Sequence, residues 1–159
     1  MIGLPAAGKS TFARERLAVT HVLISKDAMP RTSAKENVQR QLVSAALRAG
    51  RSVAVDNVNA TREARAWLIR EAHAHGARVV GYVFESSAKD CLARNRQREG
   101  AARVPAVAIH AAAKRLERPG FDEGFDALLR VHLCPDNEND RFRVEPMAEH
   151  LVPSLGGPE

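Results

Sequence analysis

The stretch Gly3-Leu-Pro-Ala-Ala-Gly8-Lys9-Ser10 constrains this chain more than any other. It has the G-x-x-x-x-G-K-S spacing of a loop that cradles phosphate, and a helix-forming run from Thr11 to Leu17 follows it. Glycines in such a loop let backbone N–H groups turn inward around phosphate oxygens, and the helix N-terminus adds its partial positive charge. The candidate nucleotide-binding positions are therefore Gly3, Ala6, Ala7, Gly8, Lys9, Ser10 and Thr11. Lys9 is spaced to reach the outer phosphates of a nucleoside triphosphate, and the Ser10 hydroxyl to hold Mg²⁺. By average residue usage, four fixed positions recur by accident in roughly one chain of this length in a few hundred. The plainer alternative is a glycine-bearing turn before an ordinary helix.

Such a loop leaves the C-terminal end of a buried parallel strand, yet only Met1 and Ile2 precede Gly3. The first strand is thus expected to be largely missing. Either the start lies several residues upstream or the chain is a fragment of a longer protein.

At 159 residues the chain suits one domain with a real core, and its apolar fraction of 45% is ordinary for a globular protein. It contains no apolar run long enough to cross a bilayer and no charged-then-apolar leader, so a cytoplasmic protein without membrane contact is expected. Cys91 and Cys134 lie far apart and read as small core residues rather than metal or redox ligands. A net charge of +5, carried mostly by arginine, suits an anionic substrate, although many arginines merely solvate helix faces. Aromatic content of 4% argues against a surface that binds single strands mainly by base stacking.

Along the chain, apolar runs at 21–25, 52–56, 78–84 and 127–133 read as strands. Helices are expected between them. One opens on a capping-box pattern at Ser33–Glu36, with a stripe of Val38, Leu42, Ala45, Ala46 and Ala49. A second carries Ala64, Trp67, Leu68 and Ala72 on one face, a third runs over 88–98, and a fourth starts at Pro105. This alternation predicts an α/β fold with a parallel sheet and helices on both faces. The domain spans 1–135, with a break at 100–104 marking a lid at about 94–105. Residues 136–159 read as a polar, partly disordered tail with at best a weak edge strand at 140–144.

Ligands of open parallel sheets sit at the C-terminal strand ends, where the phosphate loop, Asp27 and Asp56 arrive together. Asp27 stands where an acceptor hydroxyl would approach a terminal phosphate and can serve as general base, or else cap the turn that follows. Asp56 can reach Mg²⁺ through water, orient substrate or a basic neighbour, or simply form a turn with Asn57. Asn57 and Asn59 either cap the next helix or hydrogen-bond the acceptor. Arg94 and Arg98 share a helix face and suit a lid that closes over polyphosphate and neutralises developing charge, or a solvated basic helix end. Arg96 points elsewhere.

The ordered set Gly3–Phe12, Ile24-Ser-Lys-Asp27, Val55-Asp-Asn-Val-Asn59, Arg94-Asn-Arg-Gln-Arg98 before Val104-Pro105, and Gly124-Phe125 resembles the kinase domain of the polynucleotide 5′-kinase family over about 3–133. The resemblance implies a P-loop NTPase of adenylate-kinase-like fold with a helical lid. It also implies transfer of the γ-phosphate of ATP, with Mg²⁺, to the 5′-hydroxyl end of DNA or RNA. By it Asp27 matches the general base, Lys9 and Ser10 the phosphate and metal ligands, and Arg98 the lid arginine. Lys26, Arg31, Asp56, Asn57 and Asn59 fall on the acceptor side. Two departures stand out: Lys26 replaces the family's usual arginine, and Arg31 is out of register with the residue that holds the acceptor's 3′-phosphate. The chain has no Asp-x-Asp phosphatase motif, so that activity is absent or on another polypeptide, and a phosphatase or ligase is expected only as a fusion or partner outside this chain. Two other readings remain: a P-loop kinase for a small-molecule hydroxyl (sugar, nucleoside or antibiotic), and a nucleotide-binding module without catalysis.

Overall fold

A computed structural model of the protein describes residues 1–29, 34–134 and 141–148. The short apolar runs form strands β1 (Val22–Ile24), β2 (Val53–Val55), β3 (Val80–Phe84) and β4 (Ala127–Leu133), joined by β5 (Phe142–Pro146). Helix α1 (Lys9–Phe12) continues into a wide π turn, Ala13–Leu17. The others are α2 (Lys35–Arg48), α3 (Arg62–Ala74), α4 (Ala88–Arg96) and α5 (Ala106–Arg115).

β1 pairs parallel with β2, and β3 parallel with β4. The first residues of the chain lie between these pairs. The Met1 amine donates to Val55 O at 3.0 Å and Gly3 N–H to Val58 O at 3.1 Å. On the other side Ile2 N–H donates to Tyr82 O and Phe84 N–H to Ile2 O, both at 2.8 Å. Met1–Gly3 is thus a very short central strand that joins both halves of an α/β sheet. Beside it, the N-terminal ends of β2 and β3 border a cavity of about 560 Å³ that Val53, Val80, Leu68 and Ile69 help to line.

One face of the sheet packs Phe12, Leu17, Cys91, Ile109 and Val131 into a core under α1, α4 and α5; the other packs Ile2, Ile69, Val83, Phe125 and Leu128 under α3. The fold is the expected P-loop NTPase-like one. Among the described residues no helix is long and apolar enough to cross a membrane.

Several local expectations need correction. The sheet is not wholly parallel, because β5 runs antiparallel to β4 in a register from Leu133↔Phe142 to Leu129↔Pro146. The weak edge strand expected at 140–144 is a paired strand displaced toward the C-terminus, so the domain does not end at 135. Of the expected tail, 136–140 and 149–159 lie outside the described residues. Helix α2 buries Gln39 and Val43, whereas Val38 and Leu42 of the expected stripe are exposed at 37% and 47%. Helix α3 buries Arg65 and Ile69, leaving Ala64 exposed. Cys91 is fully buried, but Cys134 is only half-buried. Ser33 of the expected capping box lies outside the described residues.

Phe142 explains why β5 forms. Its ring packs edge-on against Phe12 at 5.3 Å, and Phe12 in turn touches Tyr82 and Phe84 at 5.1 and 5.5 Å. Phe142 is only 2% exposed, so truncating it leaves a cavity directly beneath the phosphate loop. Phe142→Ala is expected to lower the unfolding free energy by about 3 kcal/mol in urea titrations followed by circular dichroism. A loss under about 1 kcal/mol would mean that the loop helix holds its place without β5.

Candidate active site at the phosphate loop

The loop turns tightly at 4–7, where Ala7 N–H donates to Leu4 O at 3.2 Å. Ala6 and Gly8 both adopt left-handed backbone, with φ of 63° and 98°. Left-handed residues in such a turn direct successive N–H groups to one side and form an anion-sized concavity. The first-turn N–H groups of α1 add to it, since a helix start leaves them without internal partners. Gly3 is required by proximity: a Cβ there would stand 2.8 Å from Phe84 Cβ.

Lys9 is buried, and its Nζ donates to Gly3 O at 2.9 Å and to Leu4 O at 2.7 Å. One ammonium proton remains for an anion. Burial pushes the Lys9 pKa down to about 8; the Asp56 carboxylate and, more weakly, Asp27 act against that, while Arg98 adds to it. These four groups therefore lie within one electrostatic neighbourhood. Ser10 and Thr11 are half-buried just beyond Lys9, and Thr11 Oγ1 accepts a long hydrogen bond from Arg14 at 3.5 Å.

Asp27 follows β1 on a short 3₁₀ turn, Lys26–Ala28. Ser25 caps that turn by accepting from Asp27 N–H at 3.3 Å, so the Asp27 carboxylate is not the cap and stands exposed. The neighbouring polar side chains are engaged inside the protein. Lys26 Nζ pairs with Glu36 of α2. Asn57 Oδ1 accepts from Lys26 N–H at 3.1 Å while Asn57 Nδ2 donates to the buried Gln39 Oε1 at 2.8 Å. Asn59, at a φ of 47°, donates to Met1 O at 2.7 Å. Neither asparagine caps α3; Thr61 does, accepting from Ala64 N–H at 3.2 Å. Arg31 lies outside the described residues.

Arg94 and Arg98 have different surroundings. Arg94 Nε donates to Ala6 O at 2.9 Å, tying α4 to the left-handed corner of the loop. Arg98 donates to Ala102 O at 3.3 Å within the segment that joins α4 to α5. Asn95 closes the base of that segment: its Nδ2 donates to Val104 O at 2.8 Å and its Oδ1 accepts from Val104 N–H at 3.1 Å. Arg96 is exposed.

Sequence reasoning missed two polar residues that set this geometry. Asn95 shares the buried face of α4 with Cys91, a spacing that could have exposed it. Arg65 gives no such signal. It is 2% exposed, binds Glu123 through two hydrogen bonds of 2.7 and 2.8 Å, and donates to the carbonyls of Asn59, Ala60 and Glu117.

A family model described as an AAA domain matches residues 1–119. The chain belongs to this AAA-domain family. The AAA domain is also similar to the crystal structure of Chaetomium thermophilum Kti12 in complex with ADP-AlF3, with a TM-score of 0.63 and 19% identity over 87% of this chain and 89% of that one. That likeness shows the fold. Transcription factor bHLH140 of Arabidopsis thaliana is 28% identical over 155 residues, covering 87% of this chain but only 16% of the plant protein's length.

Two outcomes follow for the loop. A bound phosphate favours protonated Lys9, so binding takes up a proton and affinity falls as pH rises through about 8. Calorimetry should find ADP bound about tenfold more weakly at pH 9 than at pH 7, with proton uptake near pH 8; a flat profile would place the Lys9 pKa elsewhere. Loss of the Arg94–Ala6 bond in Arg94→Met should weaken ADP binding roughly tenfold while leaving the thermal midpoint within a few degrees. Unchanged affinity would make that bond irrelevant to the loop.

Proposed function

We propose that this AAA domain is an ATP-dependent phosphotransferase that moves the γ-phosphoryl group to the 5′-hydroxyl of a DNA or RNA end. The observation that carries the reading is the glycine loop whose buried Lys9 Nζ is tied to Gly3 O and Leu4 O, with the charges of Asp56, Asp27 and Arg98 acting on it. The ADP-AlF3 named with the similarly folded Kti12 supports a nucleotide in the loop. The ordered motifs that resemble the polynucleotide 5′-kinase family support the acceptor.

The loop N–H groups and Lys9 hold the β- and γ-phosphates, and Arg98 approaches them from the segment above. Ser10 and, through water, Asp56 would hold Mg²⁺, which would supply positive charge to the outer phosphates. The exposed Asp27 carboxylate orients the acceptor hydroxyl. As the oxygen–phosphorus bond forms and the bond to the departing diphosphate breaks, Asp27 takes the hydroxyl proton late, because the loose transition state asks little of its base. Lys9 and Arg98 oppose the negative charge that gathers on the leaving oxygens. The reaction is assigned to the cytoplasm.

A second acceptor class, a small-molecule hydroxyl, is favoured by one feature. Lys26 and Arg62, cations that could otherwise guide a strand, are paired with Glu36 and Asp122.

The deciding experiment incubates the protein with γ-labelled ATP, Mg²⁺ and a short 5′-hydroxyl oligonucleotide beside Asp27→Ala. Label should appear at the 5′ end and fall by at least about a hundredfold in the variant. ADP binding with no labelled oligonucleotide would reject the polynucleotide acceptor in favour of the small molecule.

A further inference from the structure

A groove of about 620 Å³ lies between α2, α3 and α5, with the 57–61 loop also lining it. Lys26, immediately before Asp27, lines it, so the groove adjoins the side of the site from which an acceptor reaches that carboxylate. Its volume falls in the range of small-ligand pockets. We propose that this groove holds the heteroaromatic base of the acceptor, with Trp67 and Arg40 as its stacking surface. This inference rests on the assignment of Asp27 to the acceptor hydroxyl.

Three observations carry it. Trp67, the sole tryptophan of the chain, lines the groove with the Arg40 guanidinium 5.0 Å from its ring centroid. A planar cation over an aromatic face makes a flat, polarisable surface on which a base stacks. On α5 the groove meets Ala108 and Ala111, whose methyl groups leave room for a ring to lie flat. On the Trp67 side of the groove Lys26 and Arg40 share one carboxylate partner, Glu36. With neither cation free of a carboxylate, that side favours a flat ring over a phosphate. A base of this kind belongs either to the terminal nucleotide of a strand or to a free nucleoside.

Trp67 emission provides the test. The full chain, saturated with ADP and Mg²⁺ so that the donor's base is already present, is titrated with three ligands. These are a 5′-hydroxyl oligonucleotide, the same oligonucleotide with an abasic 5′ residue, and a free nucleoside. Saturable quenching by a base-bearing ligand, at least about tenfold tighter than with the abasic strand, is expected. Oligonucleotide binding tighter than nucleoside binding identifies a strand end as the source, and equal affinities identify the nucleoside. Ala111→Tyr fills the groove from an exposed helix position and should weaken quenching about tenfold while ADP affinity and the thermal midpoint stay unchanged. Equal quenching by abasic and base-bearing strands, or no response to Ala111→Tyr, overturns the groove assignment. The two proposals fail separately. Quenching without phosphoryl transfer keeps the base site and rejects the reaction, whereas transfer without quenching does the reverse.

Discussion

The hydrogen bonds of Ile2 to Tyr82 and Phe84 decide where everything else stands. They insert the start of the chain between β2 and β3, so the phosphate loop emerges from the middle of the sheet rather than its edge. Asp27 and Asp56 follow the ends of β1 and β2, while α4 carries Arg94, with Arg98 just beyond its last turn. Aromatic contacts secure the arrangement from below: Phe12, the last residue of α1, meets Tyr82, Phe84 and Phe142. A helix of so few residues has little stability of its own, and its position is a consequence of this packing.

Two buried cations illustrate opposite uses of desolvation. Removing a charge from water is costly unless hydrogen bonds and opposite charge compensate. Arg65 is compensated fully, by Glu123 and three backbone carbonyls, and its surroundings give no reason for it to exchange partners. It is a fastener that fixes the 59–60 turn against the loop after α5. Lys9 has two carbonyl partners and the more distant charges of Asp56 and Asp27, and burial still outweighs them, so its pKa is lowered. A polyanion at the loop would supply the counter-charge that burial denies Lys9.

The sequence made the sheet, the loop and the two strand-end aspartates legible, because each depends on local pattern: short apolar runs, glycine spacing, an acid where the run stops. Burial on the helices was harder to read. Helix α2 has two defensible apolar faces, and the one that packs carries Gln39, whose amide oxygen meets Asn57 from a distant loop. Arg65 sits among apolar neighbours on α3 because its carboxylate partner lies far along the chain. Phe142 stands in a polar run, and its place in the core around Phe12 explains its burial. In each case the deciding partner is remote in sequence, beyond the reach of periodicity.

The two hydrogen bonds between Asn95 and Val104 have a consequence for motion. Residues nine positions apart are stapled at the neck, so the chain between them is a small closed ring that carries Arg98. Short rings have few shapes to lose, and the entropy of closure grows only with the logarithm of length. Arg98 therefore needs no folding of a slack segment to engage a ligand. Its backbone is confined by a loop whose two ends are fixed to each other at the base.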